Sequence, residues 1–584
     1  MKSFFKNIFS TIIGIIVTII IIISLFIGSV TLMSSNKEIT VKENSILKID
    51  LSNLKIVERT SENPLNNFFD LSGDVIENIE LKQVLDNIEK AKKDKNINAI
   101  YINTSFVNAG LSQIEEVRNK LLEFKETNKP IIAYSEVYTQ SAYYLASVAD
   151  EIYLHPEGMI EIKGLSASIM FYKDMLEKLD LEIQIIRHGK FKSAVEPFIL
   201  NKMSKANRDQ IKLFLNSIAD NIMDSIACQR GLTLHKVQKH ANNLSLESAK
   251  KCLDLNYVDA LLYQDQLEDS LLLTSKGEKL KLITLKKYSS VKTNKSEISR
   301  NKIAIVYATG TIKSGKGDEM SIGSETTAQA IKKAREDKNV KAIVFRINSG
   351  GGSALASDVI WRETILTKKM NKPLVVSMGD YAASGGYYIA CAADSIVANP
   401  TTLTGSIGVF GMIPNLQKLY KNKLGITIDT VNTNRSADMG INRPLTDFER
   451  NKIQKNVENI YNTFITNVSE GRNMSKTAVD EIGQGRVWAG YDAKSIGLID
   501  CYGGLEKAIK IASELAKVNE YRIISLPKKQ DPFHKLALKL GQETNISEII
   551  IRKLGFRTKI ADPIEDFFNE DKIQARIPFI INLK

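Results

Sequence analysis

Short runs of β-branched and apolar residues alternate with helical patterns along most of the chain. In its second half, the runs KIAIVYAT, KAIVFRI, PLVVSM and SIVA predict strands. Apolar positions at helical spacing predict helices at residues 326–338 and 354–369, and a longer helix from residue 446 to about residue 470. Alternating strands and helices are typical of an α/β protein, in which crossover connections link neighbouring strands of a sheet.

The N-terminal segment has a different pattern. No charged residue occurs between Lys6 and Lys37, and residues 8–33 are dominated by Ile, Leu, Val and Phe. This stretch can span a bilayer, which takes about 20 apolar residues. It exceeds the apolar core of about 7–15 residues in a cleavable signal peptide, so we expect an uncleaved anchor, with a cleaved signal as the alternative. Lys2 and Lys6 precede the stretch, which predicts a cytoplasmic N-terminus and an exported remainder.

The chain contains an internal repeat at a spacing of about 243 residues. AKKDKNINAI at residues 91–100 matches AREDKNVKAI at residues 334–343, and YYLASVAD from residue 143 matches YYIACAAD from residue 387. A period this long predicts two tandem domains of one fold rather than a solenoid. The expected segments are a cytoplasmic N-terminus with the anchor and a linker at 1–46, one repeat at 47–290, a second at 300–520, and an accessory tail at 521–584.

Composition narrows the class of protein. Apolar residues make up 43% of the chain and charged residues 25%, so most of it should fold in water. The net charge of +12 is spread over the chain without long basic runs, which does not indicate nucleic-acid binding. The four cysteines show no CxxC spacing and there are only five histidines, so we expect neither a disulfide framework nor a structural zinc site.

One serine occupies a predicted turn between a strand and a helix. The segment VVSMGDYAASGGYY runs from a strand through Ser384 into a helix of small residues. The N–H groups and dipole at a helix start favour negative charge. Gly385 and Gly386 would allow a peptide substrate to approach closely. Taken alone, a serine in this position is also typical of a simple helix N-cap.

A glycine-rich segment follows an earlier strand in the same half. RINSGGGSALAS contains Gly350, Gly351 and Gly352 at the predicted end of a strand and before a helix. Consecutive glycines leave several N–H groups free to point at one spot, which suits an oxyanion hole. The alternative is a flexible tight turn.

The chain lacks the usual markers of a histidine-based hydrolase, since neither GxSxG nor HExxH occurs. His155 and His188 have no convincing acidic partner in the sequence and are more consistent with structural roles. A lysine can act as the base if burial lowers its pKa. Lys192 aligns with Arg435 of the second copy, and arginine cannot deprotonate at working pH. The first copy lacks a Ser-Gly-Gly opposite Ser384, which predicts a composite site where the repeats meet.

Two stretches carry a resemblance to a known family. FKSAVEPF, and the run from ASGGYY through VANPTTLTGSIGVFG, resemble signal peptide peptidase A, or protease IV, in its long two-repeat form. The resemblance covers roughly residues 1–520. It implies two tandem ClpP/crotonase-like α/β repeats behind an N-terminal transmembrane helix. It also implies a homo-oligomer, a homotetramer, standing on the outer face of the bacterial cytoplasmic membrane, which degrades cleaved signal peptides and other apolar peptides without metal or other cofactor.

The resemblance also implies the catalytic residues of the site. The nucleophile falls on Ser384 and the general base on Lys192, and Ser406 in LTGSIG matches the serine that orients the lysine amine. Whether the serine and the lysine meet within one chain or across an oligomer interface stays open at this point.

The resemblance places the oxyanion hole at the glycine-rich loop. Gly351 or Gly352, together with the N–H of Gly385, would stabilise the oxyanion. The family usually has proline where this chain has Gly350. Loss of proline lets the loop sample more conformations, although the N–H donors are retained.

Three functions other than a peptidase fit single features of the sequence. GTIKSGKG from residue 310 nearly matches a phosphate-binding loop, but Gly317 replaces the Ser or Thr that would bind magnesium. An acyl-CoA enzyme would share the fold, yet CoA is cytoplasmic and this chain is expected outside. A catalytically silent, membrane-anchored scaffold is the main alternative, and retention of both Ser384 and Lys192 argues against it.

Overall fold

The computed structural model describes residues 40–60, 77–291, 299–529 apart from residue 319, and 573–577, together with scattered residues between 7 and 21. Most of the predicted anchor, residues 8–33, therefore lies outside the described residues. Within the parts of the chain that are described, no helix is long and apolar enough to cross a membrane.

A parallel sheet forms the centre of the first repeat. The strands of this repeat are β1 (Ser45–Ile49), β2 (Leu54–Val57), β3 (Glu77–Glu80), β4 (Ile97–Asn103), β5 (Ile131–Tyr138), β6 (Glu151–Ile160), β7 (Glu182–Arg187), β8 (Ala260–Leu261) and β9 (Leu282–Thr284). Six of them form the sheet in the order β8-β6-β5-β4-β1-β9, with every neighbouring pair parallel. Parallel sheets are covered on both faces, which explains the long apolar runs in these strands.

Helices cover the two faces of this sheet. They are α1 (Leu81–Lys93), α2 (Leu111–Lys125), α3 (Gln140–Ala146), α4 (Lys173–Lys178), α5 (Glu196–Ile199), α6 (Lys205–Arg230), α7 (Leu234–Asn242), α8 (Ala249–Asp254), α9 (Gln264–Ser275) and α10 (Leu285–Ser289). The long helix α6 begins at Ser204, whose hydroxyl accepts the N–H of Asn207 at 3.2 Å. It ends at Gly231, which adopts a left-handed conformation with φ 64°.

The second repeat has the same sheet. Its strands are β10 (Lys302–Thr309), β11 (Thr311–Lys313), β12 (Ser321–Gly323), β13 (Val340–Ser349), β14 (Gly351–Ser353), β15 (Leu374–Ala383), β16 (Ser395–Ala398), β17 (Leu403–Gly405), β18 (Phe410–Asn415), β19 (Val487–Ala489), β20 (Cys501–Tyr502) and β21 (Arg522–Leu526). The path β20-β16-β15-β13-β10-β21 repeats the order of the first sheet. Strand β17 pairs with the C-terminal end of β15, and β19 pairs with β17. The prediction of two α/β repeats of one fold is therefore confirmed.

The helices of the second repeat follow the sequence pattern closely. They are α11 (Ser324–Glu336), α12 (Ala354–Lys369), α13 (Gly385–Ala390), α14 (Asp447–Arg472), α15 (Lys476–Ile482), α16 (Gly490–Ser495) and α17 (Leu505–Leu515). The bounds of α12 coincide with the prediction, and those of α11 and α14 differ from it by about two residues. Helix α14 begins at Thr446, which forms a capping box with Glu449.

A third sheet joins the two repeats to the C-terminal tail. Its order is β12-β11-β14-β22-β18-β7, where β22 comprises Ile573–Arg576. Strand β7 of the first repeat pairs antiparallel with β18 of the second along its whole length. Strand β22 lies between β14 and β18 and is antiparallel to both. Strands β21 and β22 both fall beyond residue 520, so the predicted accessory tail contributes strands to two sheets.

The repeats share apolar packing as well as strands. The main core of the first repeat also contains Ala383, Leu403, Val487 and Ala489 from the second. Burying apolar surface stabilises a fold by roughly 25 cal/mol for each Å² removed from water. The shared core therefore opposes separation of the repeats.

A buried group of charges lies at the same contact. Arg346 in β13 is completely buried, and its guanidinium lies 2.8 Å from Glu58 and 2.8 Å from Glu116, both in the first repeat. It also donates to the hydroxyl of Ser377 at 2.8 Å and to the carbonyl of Met378 at 3.1 Å. Buried charges are tolerated only when they are paired and hydrogen-bonded. This group therefore fixes how the two repeats face each other.

Replacing Arg346 with alanine should destabilise the protein by about 3–5 kcal/mol, because two carboxylates would stay buried without their partner. The expected result is a clear decrease in the urea midpoint, measured by circular dichroism. The matched control is Lys251→Ala, which removes a solvent-exposed ion pair with Glu247 and should leave the midpoint nearly unchanged. An Arg346→Ala midpoint equal to that of the control would contradict the role assigned to this charge group.

Candidate active site

Ser384 lies at a sharp turn between β15 and α13. Its backbone has φ 56° and ψ −116°, a conformation that residues other than glycine rarely adopt. Such strain costs on the order of 1–3 kcal/mol and persists only where the surroundings enforce it. Here the N–H of Ser384 donates to the carbonyl of Gly405 at 2.8 Å, and the side chain is completely buried. The turn thus holds the hydroxyl in one place.

Ser406 is brought to the same edge of the sheet. Strand β17 pairs with the end of β15, with Ala383 opposite Gly405, so the two serines follow paired positions. Ser406 also has a positive φ of 50°, and its N–H donates to the carbonyl of Arg486 at 2.6 Å. Its hydroxyl is completely buried.

Lys192 reaches this point from the first repeat. It follows β7, and because β7 pairs with β18, this part of the first repeat lies against the second. The N–H of Phe191 donates to the carbonyl of Gln484 at 2.9 Å. Gly485 has φ 84°, and a Cβ at this position would lie 2.6 Å from Cβ of Lys192. Glycine is therefore required for the lysine loop to approach so closely.

Gln210 on α6 fixes the lysine loop from the other side. Its side-chain nitrogen donates to the carbonyl of Phe191 and to the hydroxyl of Ser193, both at 3.1 Å. Its side-chain oxygen accepts the N–H of Val487 in the second repeat at 3.1 Å. The buried side-chain amide of Gln210 therefore links the residues on both sides of Lys192 to the second repeat. The sequence does not reveal this role, because a glutamine on a helix has no local signal of it.

The three side chains expected at the centre of the site come together within one chain. Nζ of Lys192 lies 2.6 Å from Oγ of Ser384, 3.1 Å from Oγ of Ser406 and 3.3 Å from the carbonyl oxygen of Ser406. The hydroxyl of Ser406 also lies 3.3 Å from the carbonyl oxygen of Gly485. Lys192 is as completely buried as the two serines.

Burial alone sets the protonation of Lys192. Removal of the ammonium from water holds the pKa of Lys192 well below its ordinary value of 10.5. No carboxylate in the described part of the chain contributes to this pKa. A neutral amine carries a lone pair, so Lys192 can accept a proton from the serine hydroxyl 2.6 Å away.

The glycine-rich loop lies beside Ser384. Gly351 and Gly352 have φ of 102° and 156°, and a Cβ on Gly351 would lie 2.8 Å from the backbone nitrogen of Gly385. The N–H of Gly351 donates to the hydroxyl of Ser349 at 3.1 Å and is thus used within its own loop. Gly352 and Gly385 remain as candidate donors to an oxyanion.

The histidines have partners elsewhere. The ring of His188 stacks on Tyr461 with centroids 3.9 Å apart. Nδ1 of His155 accepts the N–H of Glu157 at 3.1 Å, and its ring meets the ring of Tyr263 edge-on. Both arrangements agree with the structural roles expected for these residues.

Two α/β repeats that bury a serine hydroxyl 2.6 Å from a lysine amine form an arrangement that suits a serine hydrolase. Residues 123–276 and 367–519 match the model of Peptidase family S49, so one match falls in each repeat. The chain belongs to this family and is a serine endopeptidase. The expected relation to signal peptide peptidase A is confirmed.

Two relatives agree with this assignment, and one solved structure is also reported. Protease 4 of Salmonella typhi is 35% identical over 506 residues, which cover 84% of this chain and 81% of the relative. A protein of Enterococcus faecium named as a signal peptide peptidase SppA is 35% identical over 236 residues, or 39% of this chain and 68% of the relative. The solved structure of a membrane-bound stomatin-specific protease aligns with 42% of this chain and 99% of its own, at 16% identity and a TM-score of 0.26.

Replacing Lys192 with methionine should make the fold no less stable at neutral pH, because a buried amine is exchanged for an apolar side chain of similar length. The pKa of Lys192 is lowered in the folded state, so folding loses stability as the pH falls from the unfolded value near 10.5 through the folded pKa. The advantage of Lys192→Met in urea midpoint should therefore shrink as the pH is raised from 7 to 10.

Lys190→Met is the matched control for this comparison, since Lys190 is exposed two residues away. Its midpoint should follow that of the wild type at each pH. A Lys192→Met midpoint below that of the wild type at pH 7 would show that the amine is charged and paired in the folded protein.

Proposed function

We propose that this chain is a membrane-anchored peptidase that degrades cleaved signal peptides and other apolar peptides with a serine–lysine pair. Ser384 is the nucleophile and Lys192 the general base. The observation that carries the proposal is the 2.6 Å separation of Nζ and Oγ in a fully buried site shared by two repeats. We assign each repeat a ClpP/crotonase-like fold, as the resemblance implies.

In the first step, Oγ of Ser384 attacks the carbonyl carbon of the scissile peptide bond, and Nζ of Lys192 takes the hydroxyl proton. The N–H groups of Gly352 and Gly385 stabilise the negative oxygen of the tetrahedral intermediate. Collapse of the intermediate breaks the C–N bond, and the Lys192 ammonium gives its proton to the leaving amine. A water molecule then attacks the acyl carbon while Lys192 takes its proton, the C–O bond to Ser384 breaks, and Lys192 returns the proton to Oγ of Ser384.

Ser406 is a positioning residue in this scheme. Its hydroxyl and its carbonyl oxygen both lie within hydrogen-bonding distance of Nζ of Lys192. When these oxygens accept the two N–H bonds of the neutral amine, the lone pair is directed at Ser384. Because Ser406 has φ 50°, both oxygens come from one residue held in a constrained turn.

The relatives and the sequence support the proposed substrate and location. One relative is named as a signal peptide peptidase. Signal peptides have apolar cores and are released in the membrane. The apolar stretch at residues 8–33 would hold the enzyme at that membrane, with the repeats on the extracytoplasmic side of a bacterial cytoplasmic membrane.

The internal repeat also supports a homo-oligomer. Within the chain, β7 of the first repeat pairs with β18 of the second. At the repeat spacing of 243 residues, β7 corresponds to residues 425–430 and β18 corresponds to residues 167–172. Both corresponding segments are described, and neither is assigned to a strand.

These two segments are suited to pair between chains. Ile426 and Ile428 are 50% and 47% exposed, and Met170 is 63% exposed. If 425–430 of one copy pairs with 167–172 of the next as β7 pairs with β18, the two segments form a further antiparallel ladder between chains. The same contact then recurs head to tail, and such heterologous contacts form a ring when the rotation between copies closes.

Ser384→Ala and Lys192→Met should each lower kcat for an apolar peptide by at least about 10²-fold, because each removes one partner of the proton transfer. Lys190→Met should keep wild-type activity. Wild-type kcat/KM should increase with pH to a plateau, since protonated Lys192 cannot accept the serine proton. Hydrolysis is measured by chromatography on detergent-solubilised full chain. Full activity in Lys192→Met would rule out this base.

Ser168→Cys combined with Asp429→Cys should give chains cross-linked through a disulfide under mild oxidation. If the two segments pair in the register of β7 with β18, residues 168 and 429 lie directly opposite each other. Opposite Cα atoms of an antiparallel pair are about 4.5–5.5 Å apart, a distance that a disulfide can bridge. Non-reducing electrophoresis should show a ladder of multimers that is absent from each single variant. A ladder of equal strength in the single variants, or none in the double variant, would refute the pairing.

A further inference from the structure

A strained turn of the second repeat lies against Lys192. It consists of Gln484 and Gly485, whose φ angles are 51° and 84°. A positive φ is strained in a residue other than glycine and persists only where neighbouring groups enforce it. The carbonyl of Gln484 accepts the N–H of Phe191 at 2.9 Å, and the carbonyl oxygen of Gly485 lies 3.3 Å from the hydroxyl of Ser406. The turn therefore contacts both the lysine loop and the second serine of the site.

Tyr461 of α14 and Asp480 just inside the end of α15 bind this turn. The hydroxyl of Tyr461 accepts the N–H of Gln484 at 3.2 Å and donates to Oδ1 of Asp480 at 2.5 Å. Oδ2 of Asp480 accepts the side-chain amide of Gln484 at 3.2 Å. Burial first, and then the hydrogen bond to Asp480, raise the pKa of Tyr461 above its ordinary value, so the phenol keeps the proton that it donates. Gln484 is thus held by both its backbone and its side chain.

The ring of Tyr461 contacts the lysine loop as well. It is only 2% exposed and stacks on His188, with the ring centroids 3.9 Å apart. His188 lies four residues before Lys192, and its backbone N–H donates to the carbonyl of Val409 at 3.1 Å. One tyrosine therefore packs against the loop of the first repeat through its ring and binds the turn of the second repeat through its hydroxyl.

The first repeat lacks this pair of side chains. Helices α6 and α14 begin 242 residues apart, at residues 205 and 447. At this spacing Tyr461 corresponds to Ala219, and Asp480 corresponds to Gln238. Gln238 donates instead to Asp220 of its own repeat at 2.8 Å. Both repeats build the same sheet, so the fold itself does not require the pair, which occurs only in the copy that closes over the lysine.

We propose that Tyr461 and Asp480 are positioning residues, which hold the turn at Gln484 and Gly485 closed over Lys192 and so keep the amine buried. The proposal rests on the proposed function, since it takes Lys192 as the base. Without the phenol hydroxyl, the N–H of Gln484 loses its acceptor, and a strained turn that loses its partner relaxes. Water then reaches Nζ of Lys192. Because burial is what lowers the pKa of Lys192, that pKa rises.

Tyr461→Phe removes the hydroxyl and keeps the ring that stacks on His188. It should move the pH profile of kcat/KM for an apolar peptide upward by at least about 0.5 unit, which lowers activity on the acid limb about threefold. Activity should return toward the wild-type plateau at high pH, because the chemistry of a neutral Lys192 is unchanged.

Tyr143→Phe is the matched control, since it removes a completely buried hydroxyl that donates to the carbonyl of Tyr257 at 2.6 Å in the first repeat. This control should lower the urea midpoint without moving the pH profile. If Tyr461→Phe behaves in the same way, its hydroxyl serves stability alone and the proposal is wrong.

Asp480→Ala tests the pair from its other member. It should move the profile in the same direction as Tyr461→Phe. The double variant should move it no further than the larger of the two single shifts, because the two side chains hold the turn as a unit. Shifts that add in the double variant, or an unshifted profile in Asp480→Ala, would contradict the pairing.

A labelling measurement separates this inference from the proposed chemistry. Full-length Ser384→Ala chains, with and without Tyr461→Phe, are treated briefly with acetic anhydride at pH 10, so that accessibility rather than protonation limits the reaction of Lys192. Chymotryptic cleavage after Phe191 then places Lys190 and Lys192 in separate peptides for mass spectrometry. Lys190 is exposed and serves as the internal reference.

The acetylation of Lys192 relative to Lys190 should increase at least about threefold with Tyr461→Phe, since local opening admits the reagent. It should not change with Tyr143→Phe. Equal ratios with and without Tyr461→Phe would overturn the proposal. An increased ratio, together with full peptidase activity of Lys192→Met, would refute the proposed function and leave the positioning role standing.

Discussion

The removal of one lysine amine from water is the constraint on which the arrangement of this protein depends. An amine can act as a base only if it is neutral, and burial lowers the pKa of Lys192, with no carboxylate of the described residues among the causes. Residues of both repeats surround Lys192. The exchange of β7 onto β18, the hydrogen bonds of Gln210 and the absence of a side chain at Gly485 together close the second repeat over the lysine.

The strained turns and the buried amine of the site are unfavourable on their own, and the contact between the repeats stabilises them. The positive φ angles at Ser384 and Ser406 store backbone strain, and a buried amine forgoes hydration. The shared apolar core and the buried ion group around Arg346 lie at the same contact and offset these costs. Stability and catalytic geometry are therefore coupled, since whatever loosens the repeats also exposes the lysine to water.

The two repeats, the main helices and a candidate site between the repeats could be predicted from the sequence, because the patterns that indicate them are local or occur in both copies. Helical periodicity located α12 to the residue, and the difference between the copies at Lys192 and Arg435 pointed to a split site. The contacts of Gln210 and the position of β22 could not be predicted, because each depends on residues hundreds of positions away. A four-residue strand carries too little pattern to reveal its neighbours. The use of the Gly351 N–H by Ser349 likewise depends on loop geometry that a run of glycines leaves undetermined.

The division of the serine and the lysine between two copies has a consequence for how such a chain could have arisen. A single-copy ancestor with both residues would have needed a second molecule to cover its lysine, and its activity would have depended on concentration. Joining two copies in one chain makes the pairing unimolecular. Each copy was then free to lose the residue that its neighbour supplied, and Arg435 stands at the lysine position of the second copy. On the proposed roles of Ser384 and Lys192, the second copy could not return to an independent enzyme without regaining a lysine there.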